Sequence, residues 1–195
     1  MKLKNSIKPA LLLSTALLAS AAQADFIGAE AEAGVFLNND GEDSNSYFGL
    51  AIEHPIPLIP NVRFQHQSLE EENQPDLSFN DYTLYYEFGL LWLDLDLGAT
   101  FRQIGDSNNS TIDGTYPLGY VSAYLSIPGT PFSVGGEFKS GGGSDADITD
   151  TTFKVKFQPL PFVGLEAGYR TIEEQFQSST VFEPKGAFIG VFADF

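Results

Sequence analysis

The feature that most constrains this 195-residue chain is a strict alternation of apolar and polar residues in two adjoining segments near its middle. Residues 81–88 and 93–102 carry an apolar or aromatic side chain at every second position, and the residues between are charged, small or hydroxyl-bearing. The apolar positions are Tyr82, Leu84, Tyr86, Phe88, Leu93, Leu95, Leu97, Ala99 and Phe101. A period of two is typical of a β-strand with one apolar face, and it leaves little room for a helix.

Similar alternation recurs in ten segments that cover most of the chain. They are residues 26–37, 47–53, 61–68, 81–88, 93–102, 116–127, 132–139, 150–157, 163–171 and 186–195. Long polar connections alternate with short turns rich in proline and glycine, such as residues 54–60 and 128–131. Short turns at one end and long loops at the other are typical of bacterial outer-membrane barrels. The sequence therefore predicts an all-β fold, a transmembrane antiparallel up-and-down barrel of ten strands, with eight strands as the alternative if the weak second and third segments are lost.

The first 24 residues have the three parts of a secretory signal peptide. Lys2, Lys4 and Lys8 precede a short apolar run, and Ala22 and Ala24 frame a cleavage site. The apolar run is too short to cross a bilayer as a helix. Cleavage would leave residues 25–195 as a single barrel domain with 26 acidic and seven basic residues. So acidic a chain is not expected to bind nucleic acid, and without cysteine it has no disulfide.

The last segment has an uninterrupted apolar row that ends on the final residue. The row consists of Ala187, Ile189, Val191, Ala193 and Phe195. It resembles the terminal strand of bacterial outer-membrane barrels, which the barrel-assembly machinery recognises during biogenesis. The resemblance implies that Phe195, Ala193, Val191 and Ile189 form an assembly signal.

The basic residues are placed as a charged barrel interior requires. Six of the seven that survive cleavage lie on the polar face of a strand: Arg63, Arg102, Lys139, Lys154, Lys156 and Arg170. The same faces carry acids, among them Glu30, Glu32, Glu87, Asp94, Asp96, Glu137 and Glu166. Since an unpaired charge in a narrow lumen is costly, we expect a lumenal ion-pair network. The alternative is a soluble secreted barrel that turns its apolar face inward around an apolar ligand, with these charges on a solvated surface.

The sequence offers little that resembles a catalytic or metal site. His54 lies in a proline-rich turn and His66 on a weak strand, and no nucleophile motif accompanies them. Asp94 and Asp96 share a face but are better explained as ion-pair partners, and the acidic run 70–72 lacks calcium-loop spacing. We therefore expect no enzyme activity, cofactor or metal, with an outer-membrane enzyme of unrecognised type as the alternative. Trp92 is expected at the membrane interface.

Four groups of residues carry a family resemblance. They are residues 85–88 leading through Trp92 to 93–98, residues 128–130, residues 163–171, and the Gly-x-Phe-x-Gly ending. Together they resemble the YfaZ-like group of small Gram-negative outer-membrane barrels of unassigned function. The resemblance implies the fold and an outer-membrane location but no activity. The predicted role is structural or surface interaction, at most a narrow channel preferring cations, with outer-membrane lipid, lipopolysaccharide and the assembly machinery as partners.

Overall fold

The structure is a closed antiparallel barrel. The computed structural model describes residues 27–38, 44–69, 77–105, 112–144, 146–176 and 181–195. Its strands are β1 (Gly28–Asn38), β2 (Ser44–Glu53), β3 (Asn61–Leu69), β4 (Leu77–Leu90), β5 (Leu93–Ile104), β6 (Gly114–Ser126), β7 (Phe132–Gly141), β8 (Ala146–Phe157), β9 (Val163–Phe176), β10 (Val181–Phe182) and β11 (Lys185–Asp194). Among these residues there is no helix long and apolar enough to cross a membrane.

Ten of the strands form the ring, and each pairs with its neighbour in the chain. β11 closes the ring by pairing with β1, in a register that sets Glu30 opposite Asp194 and Asn38 opposite Gly186. The two-residue β10 pairs with the end of β9, above the point where β11 begins. The prediction of ten strands is confirmed, and the eight-strand alternative is wrong because β2 and β3 are both in the ring. The predicted signal peptide lies outside the described residues.

The side chains face the two sides of the barrel as the alternation predicts. On the outer face, large apolar residues such as Leu97, Phe153 and Ile189 are about half exposed, at 52%, 57% and 53%. On the inner face, Glu32, Arg63 and other charged residues are buried. A soluble barrel that binds an apolar ligand would have the opposite arrangement.

Several strands continue into segments where the sequence predicted loops. Residues 172–185 were expected to be a loop, yet β9 runs to Phe176 and β10 follows. In this extension Ile172 and Phe176 point inward and are buried, whereas Glu173 and Gln175 face outward. The same inversion extends β4 back to Leu77, β5 to Ile104 and β8 back to Ala146. Because their outward residues are polar, these stretches resemble loops in the sequence.

Most strands therefore have two zones, which we call the lower zone and the upper zone. In the lower zone, next to the short turns, the outside is apolar and the inside is charged. In the upper zone, next to the long loops, the outside is polar and the inside is apolar. On β5 the boundary falls between Phe101, which is exposed and apolar, and Gln103, which is exposed and polar. The upper zone has the polarity of a soluble barrel.

Lumenal glycines make room for aromatic rings. Gly34 on β1 and Gly190 on β11 lie under the ring of Tyr47, and a Cβ atom at Gly190 would come within 2.1 Å of the Tyr47 hydroxyl. Gly168 lies in the same way under Phe188. The ring of Tyr47 in turn meets that of Phe188 edge-on, with centroids 5.6 Å apart. Because side chains fill a narrow barrel, these glycines determine which rings fit in its interior.

The last residue takes part in ring closure. The Phe195 amide donates to the Ala29 carbonyl at 2.9 Å, and the Ala29 amide donates to the Phe195 carbonyl at 3.0 Å. The Phe195 side chain lies outside, 65% exposed, and stacks on Phe162 with ring centroids 5.8 Å apart. Phe195 thus ends the seam between the first and last strands.

Deleting Phe195 should lower the yield of folded barrel, because two seam hydrogen bonds and the stack on Phe162 are lost. A net value near 1 kcal/mol per hydrogen bond gives a cost of about 1–2 kcal/mol. The heat-modifiable band on an unboiled gel measures the folded fraction. Phe195→Tyr, which keeps the terminal aromatic ring and the backbone, should fold like the parent. An undiminished folded fraction from the deletion would contradict this role.

Candidate functional site

The interior of the barrel is the candidate site, and it has three layers. Ion pairs occupy its middle, an apolar cluster fills the loop end, and the turn end carries several carboxylates without a basic partner. Together the three layers determine whether anything can pass through the barrel or bind inside it.

The first cluster of ion pairs is centred on Arg102 of β5, which is fully buried. Its guanidinium binds both oxygens of Asp81 at 2.8 Å, Asp150 at 2.5 Å and Glu174 at 2.7 Å. Arg170 binds both oxygens of Asp150, at 2.9 and 2.6 Å. Since each carboxylate has a charged hydrogen-bond partner, the burial of these ions is compensated.

Neighbouring polar groups complete this first cluster. Lys139 donates to Asp81 at 2.8 Å and to Gln65 at 2.6 Å, and Arg170 donates to Gln67 at 2.9 Å. The Phe79 ring lies 3.9 Å from the Arg102 guanidinium carbon, within cation–π distance. Three bases therefore balance three acids, and the cluster lies where the charged lower zone meets the apolar upper zone.

The second cluster lies nearer the turns and is centred on Lys154 of β8. Its ammonium group is 2.6 Å from Glu32, 3.1 Å from Glu166 and 3.7 Å from Glu137. Arg63 lies 3.1 Å from Glu32 and 3.3 Å from Glu137. These contacts join strands on opposite sides of the lumen, so the charges cross-link the ring.

Tyrosine hydroxyls supply further hydrogen bonds in the second cluster. Tyr47 donates to Glu166 at 2.6 Å and Tyr124 donates to Glu137 at 2.9 Å. Tyr120 accepts from Arg63 at 3.0 Å. The sequence placed the charged residues in the lumen but did not identify these tyrosines as their partners. Nearer the turns, Lys156 pairs with Glu30 at 2.8 Å, and this pair is partly exposed.

Three carboxylates of the predicted network lie in the lumen without a base. Glu87, Asp94 and Asp96 were expected to be ion-pair partners, but no described lysine or arginine nitrogen comes within 4.0 Å of them. Asp96 accepts instead from the Ser122 hydroxyl at 2.6 Å. Glu53, on the same rim, accepts from Tyr85 at 2.8 Å. They are only partly buried or exposed, so water can solvate them and no base is required.

An apolar cluster, which we call the plug, fills the loop end of the lumen. It consists of Phe36, Leu69, Leu77, Phe79, Ile104, Ile112, Tyr116, Leu118, Ile148, Ile172, Phe176, Phe182 and Phe188. Ile112, Ile148 and Ile172 have no exposed surface at all. The inverted polarity of the upper zone had not been recognised in the sequence, so the plug was not predicted. Its signal was present on β4, where Leu77 and Phe79 alternate with the polar residues Ser78 and Asn80.

Shortening a plug residue should cost more than the same change on the outer face. Ile172→Val removes one buried methylene and should destabilise the barrel by about 1 kcal/mol. Ile189→Val is the matched control on the outer face, where the lost contact is replaced by lipid or detergent, so we expect a smaller loss. Urea unfolding in detergent micelles measures both. Equal losses would contradict a packed plug.

A small cavity lies among the ion pairs of the lumen. This cavity of about 30 Å³ lies between Tyr47, Lys154, Arg170 and Phe188. That is room for about one or two water molecules. A substrate-sized site is therefore not found in this cavity.

The two histidines have structural surroundings. His54 Nδ1 accepts from the Ile56 amide at 3.2 Å, and its Nε2 lies 3.3 Å from the Pro60 carbonyl. His66 lies 2.9 Å from the Asn80 side-chain oxygen on the next strand. Among the described residues, no group of three or more histidine or acidic residues is placed to hold a metal ion. The acidic run 70–72 lies outside the described residues.

Comparison with known proteins gives a distant likeness among solved structures. No protein-family model matches the chain, and a search of curated proteins finds no match. Among solved structures, the chain is similar to Neisserial surface protein A (NspA), at 15% sequence identity and a TM-score of 0.34, with 88% of this chain and 97% of that chain covered. A likeness this distant carries no functional argument. What the fold itself defines is a small closed barrel of the outer-membrane type, apolar outside and charged within.

Proposed function

We propose that the protein is an outer-membrane barrel with a filled lumen, and that its role is structural or surface interaction. The observation that carries the proposal is the reversal of polarity along the strands. An apolar outside over a charged inside fits lipid, and a polar outside over an apolar inside fits water. The boundary between the two zones then marks one surface of the bilayer.

The location has further consequences. The proposed route begins with secretion directed by residues 1–24 and cleavage of that signal peptide. The barrel-assembly machinery would then fold the chain into a Gram-negative outer membrane, in contact with lipid and lipopolysaccharide. Membership of the YfaZ-like group stays a proposal that rests on the sequence motifs. We assign no enzyme activity, because the two described histidines are bound in structural contacts.

A surface role fits the connections at the loop end. Residues 39–43, 70–76, 105–113, 142–145 and 177–184 contain acidic residues and neither lysine nor arginine. The plug holds the bases of these loops on a rigid barrel. A protein partner that met this end would need a positively charged surface.

The test is conductance in a planar lipid bilayer. Because ion pairs and the plug fill the lumen, the wild-type protein should show no resolvable conductance, or a small one that prefers cations because the turn-end rim is acidic. Heat-modifiable migration of protein recovered from the same lipid preparation shows that folded barrel was present. A large anion-selective conductance would overturn the proposal.

A further inference from the structure

The four short turns of the barrel are unusual in composition. They comprise residues 54–60, 91–92, 127–131 and 158–162, and none of these residues is aspartate, glutamate, lysine or arginine. Most of the chain's 11 prolines lie in them. The long connections at the opposite end carry many acids. Turns in contact with water are usually polar, so this composition needs a physical reason.

Large apolar side chains stand at the tips of three of these turns. We call them the apolar tips: Leu58, Ile59, Leu91, Trp92, Leu160 and Phe162. Leu58 is 90% exposed and Leu91 84% exposed, the highest values among the large apolar residues that the structure describes. Full exposure of so many large apolar groups to water would be unfavourable.

The backbone at two of the tips is also under strain. Leu58 has φ 73° and Leu91 has φ 57°, and they are the two non-glycine residues with positive φ in the described part of the chain. Glycine or asparagine would adopt this conformation at a lower cost than leucine, and for glycine the saving is roughly 1–2 kcal/mol. The chain keeps a leucine at both positions although glycine is abundant elsewhere.

One carbonyl group in each of three turns accepts a hydrogen bond from within the protein. The Tyr86 hydroxyl donates to the Leu58 carbonyl at 3.0 Å, and the Ser126 amide donates to the Trp92 carbonyl at 2.7 Å. The side-chain amide of Gln158 donates to the Pro161 carbonyl at 3.2 Å. Backbone groups satisfied inside the protein are required wherever water is scarce, as it is near hydrocarbon.

The height of the outer apolar face indicates that the turns lie close to hydrocarbon. On β9 the outward apolar row covers residues 163–169, about 16 Å along the membrane normal for a tilt near 40°, and on β5 residues 93–101 give about 21 Å, against the roughly 25 Å of an outer-membrane barrel. On these two strands the face cannot extend toward the loops, because Thr171 and Gln103 begin the polar outside there. The missing height lies on the turn side.

We propose that the apolar tips insert into the lipid leaflet on the turn side and anchor the barrel at its headgroup–acyl boundary. Lipid is the occupant because the tips continue the outer apolar face, carry no charge, and are spread around the ring rather than gathered in one patch. Large apolar and aromatic residues at this depth are stabilised by burial of their surface. This inference rests on the proposed membrane location.

Tryptophan fluorescence tests the depth of the tips, since Trp92 is the only tryptophan in the chain. The full chain is folded into phosphatidylcholine vesicles that contain lipids brominated either close to the headgroup or near the chain end. Trp92 should lose most of its emission to the first kind, lose less to the second, and be protected from aqueous acrylamide. The same pattern is expected for Leu58→Trp in a Trp92→Phe background.

A second variant separates this inference from the membrane location itself. Leu97→Trp in the Trp92→Phe background places the probe on the outer face of β5, away from the turns, and its emission should be quenched by bromine deeper in the chains. If this control is not quenched by lipid, the membrane location fails and the inference fails with it. If the control is quenched while Trp92 is quenched only by acrylamide, the location stands and the lipid anchor is overturned, which would leave the tips free for a protein partner.

Discussion

Replacing Arg102 with methionine should destabilise the barrel by about 3–5 kcal/mol, the cost of removing one partner from a buried ion pair. Arg102 is fully buried, and its guanidinium contacts Asp81, Asp150 and Glu174. Methionine fills much of the volume but leaves three carboxylates short of a partner. Lys139 and Arg170 would still hold Asp81 and Asp150, so Glu174 becomes the least compensated charge.

Urea unfolding in detergent micelles, followed by loss of the heat-modifiable band, measures this effect. Lys185→Met is the control, since it removes an exposed base from β11 and should change the free energy of unfolding little. Adding Glu174→Gln to Arg102→Met should recover part of the loss, because one uncompensated charge is removed. If Arg102→Met is as stable as the Lys185→Met control, the ion pairs contribute nothing to the fold.

The lower zone could be predicted from the sequence because lipid on one side and a narrow lumen on the other leave each position little choice. The parity of a residue, meaning its odd or even position along the strand, was enough to assign Arg63, Lys154 and Glu166 to the interior. What parity could not give is the pairing across the lumen. Lys154 and Glu32 are 122 residues apart in the chain and meet only when the ring closes.

The upper zone could not be recognised as strand from the sequence, and the reason is physical. Beyond the apolar outer face the outside of the barrel is polar, so outward residues there resemble loop residues. Glu174 was therefore assigned to a loop, although it lies on the inner face and binds Arg102. A search for alternation of either polarity would have extended β4 back to Leu77 and β8 back to Ala146, and so revealed part of the plug. Glu174 would still have been missed, because polar residues flank it on both sides.

The carboxylates at the turn end show a second limit to what the sequence predicts. Glu87, Asp94 and Asp96 have the same parity as the paired acids, and the sequence treated them alike. Their difference is depth, because positions near a mouth of the barrel are reached by water and need no base. Depth depends on strand tilt and register, which alternation does not determine.

An arginine in place of Leu97 should destabilise the barrel by about 2–4 kcal/mol if this position meets lipid near the middle of the membrane. Leu97 lies on the outer face of β5 and is 52% exposed. Gln103 lies on the same strand and the same face but beyond the boundary, in the upper zone. Gln103→Arg therefore places the same charged side chain in water. It should lower the free energy of unfolding by only roughly 0–1 kcal/mol.

The difference between these two variants is the most direct test of the claim that the polarity reversal marks a membrane surface. Both proteins are folded into phospholipid vesicles, and their free energies of unfolding are measured in denaturant beside the wild type. The account predicts that Leu97→Arg is the less stable of the two by about 1–4 kcal/mol. Equal stability of Leu97→Arg and Gln103→Arg would mean that both positions face water, and the membrane location would be wrong.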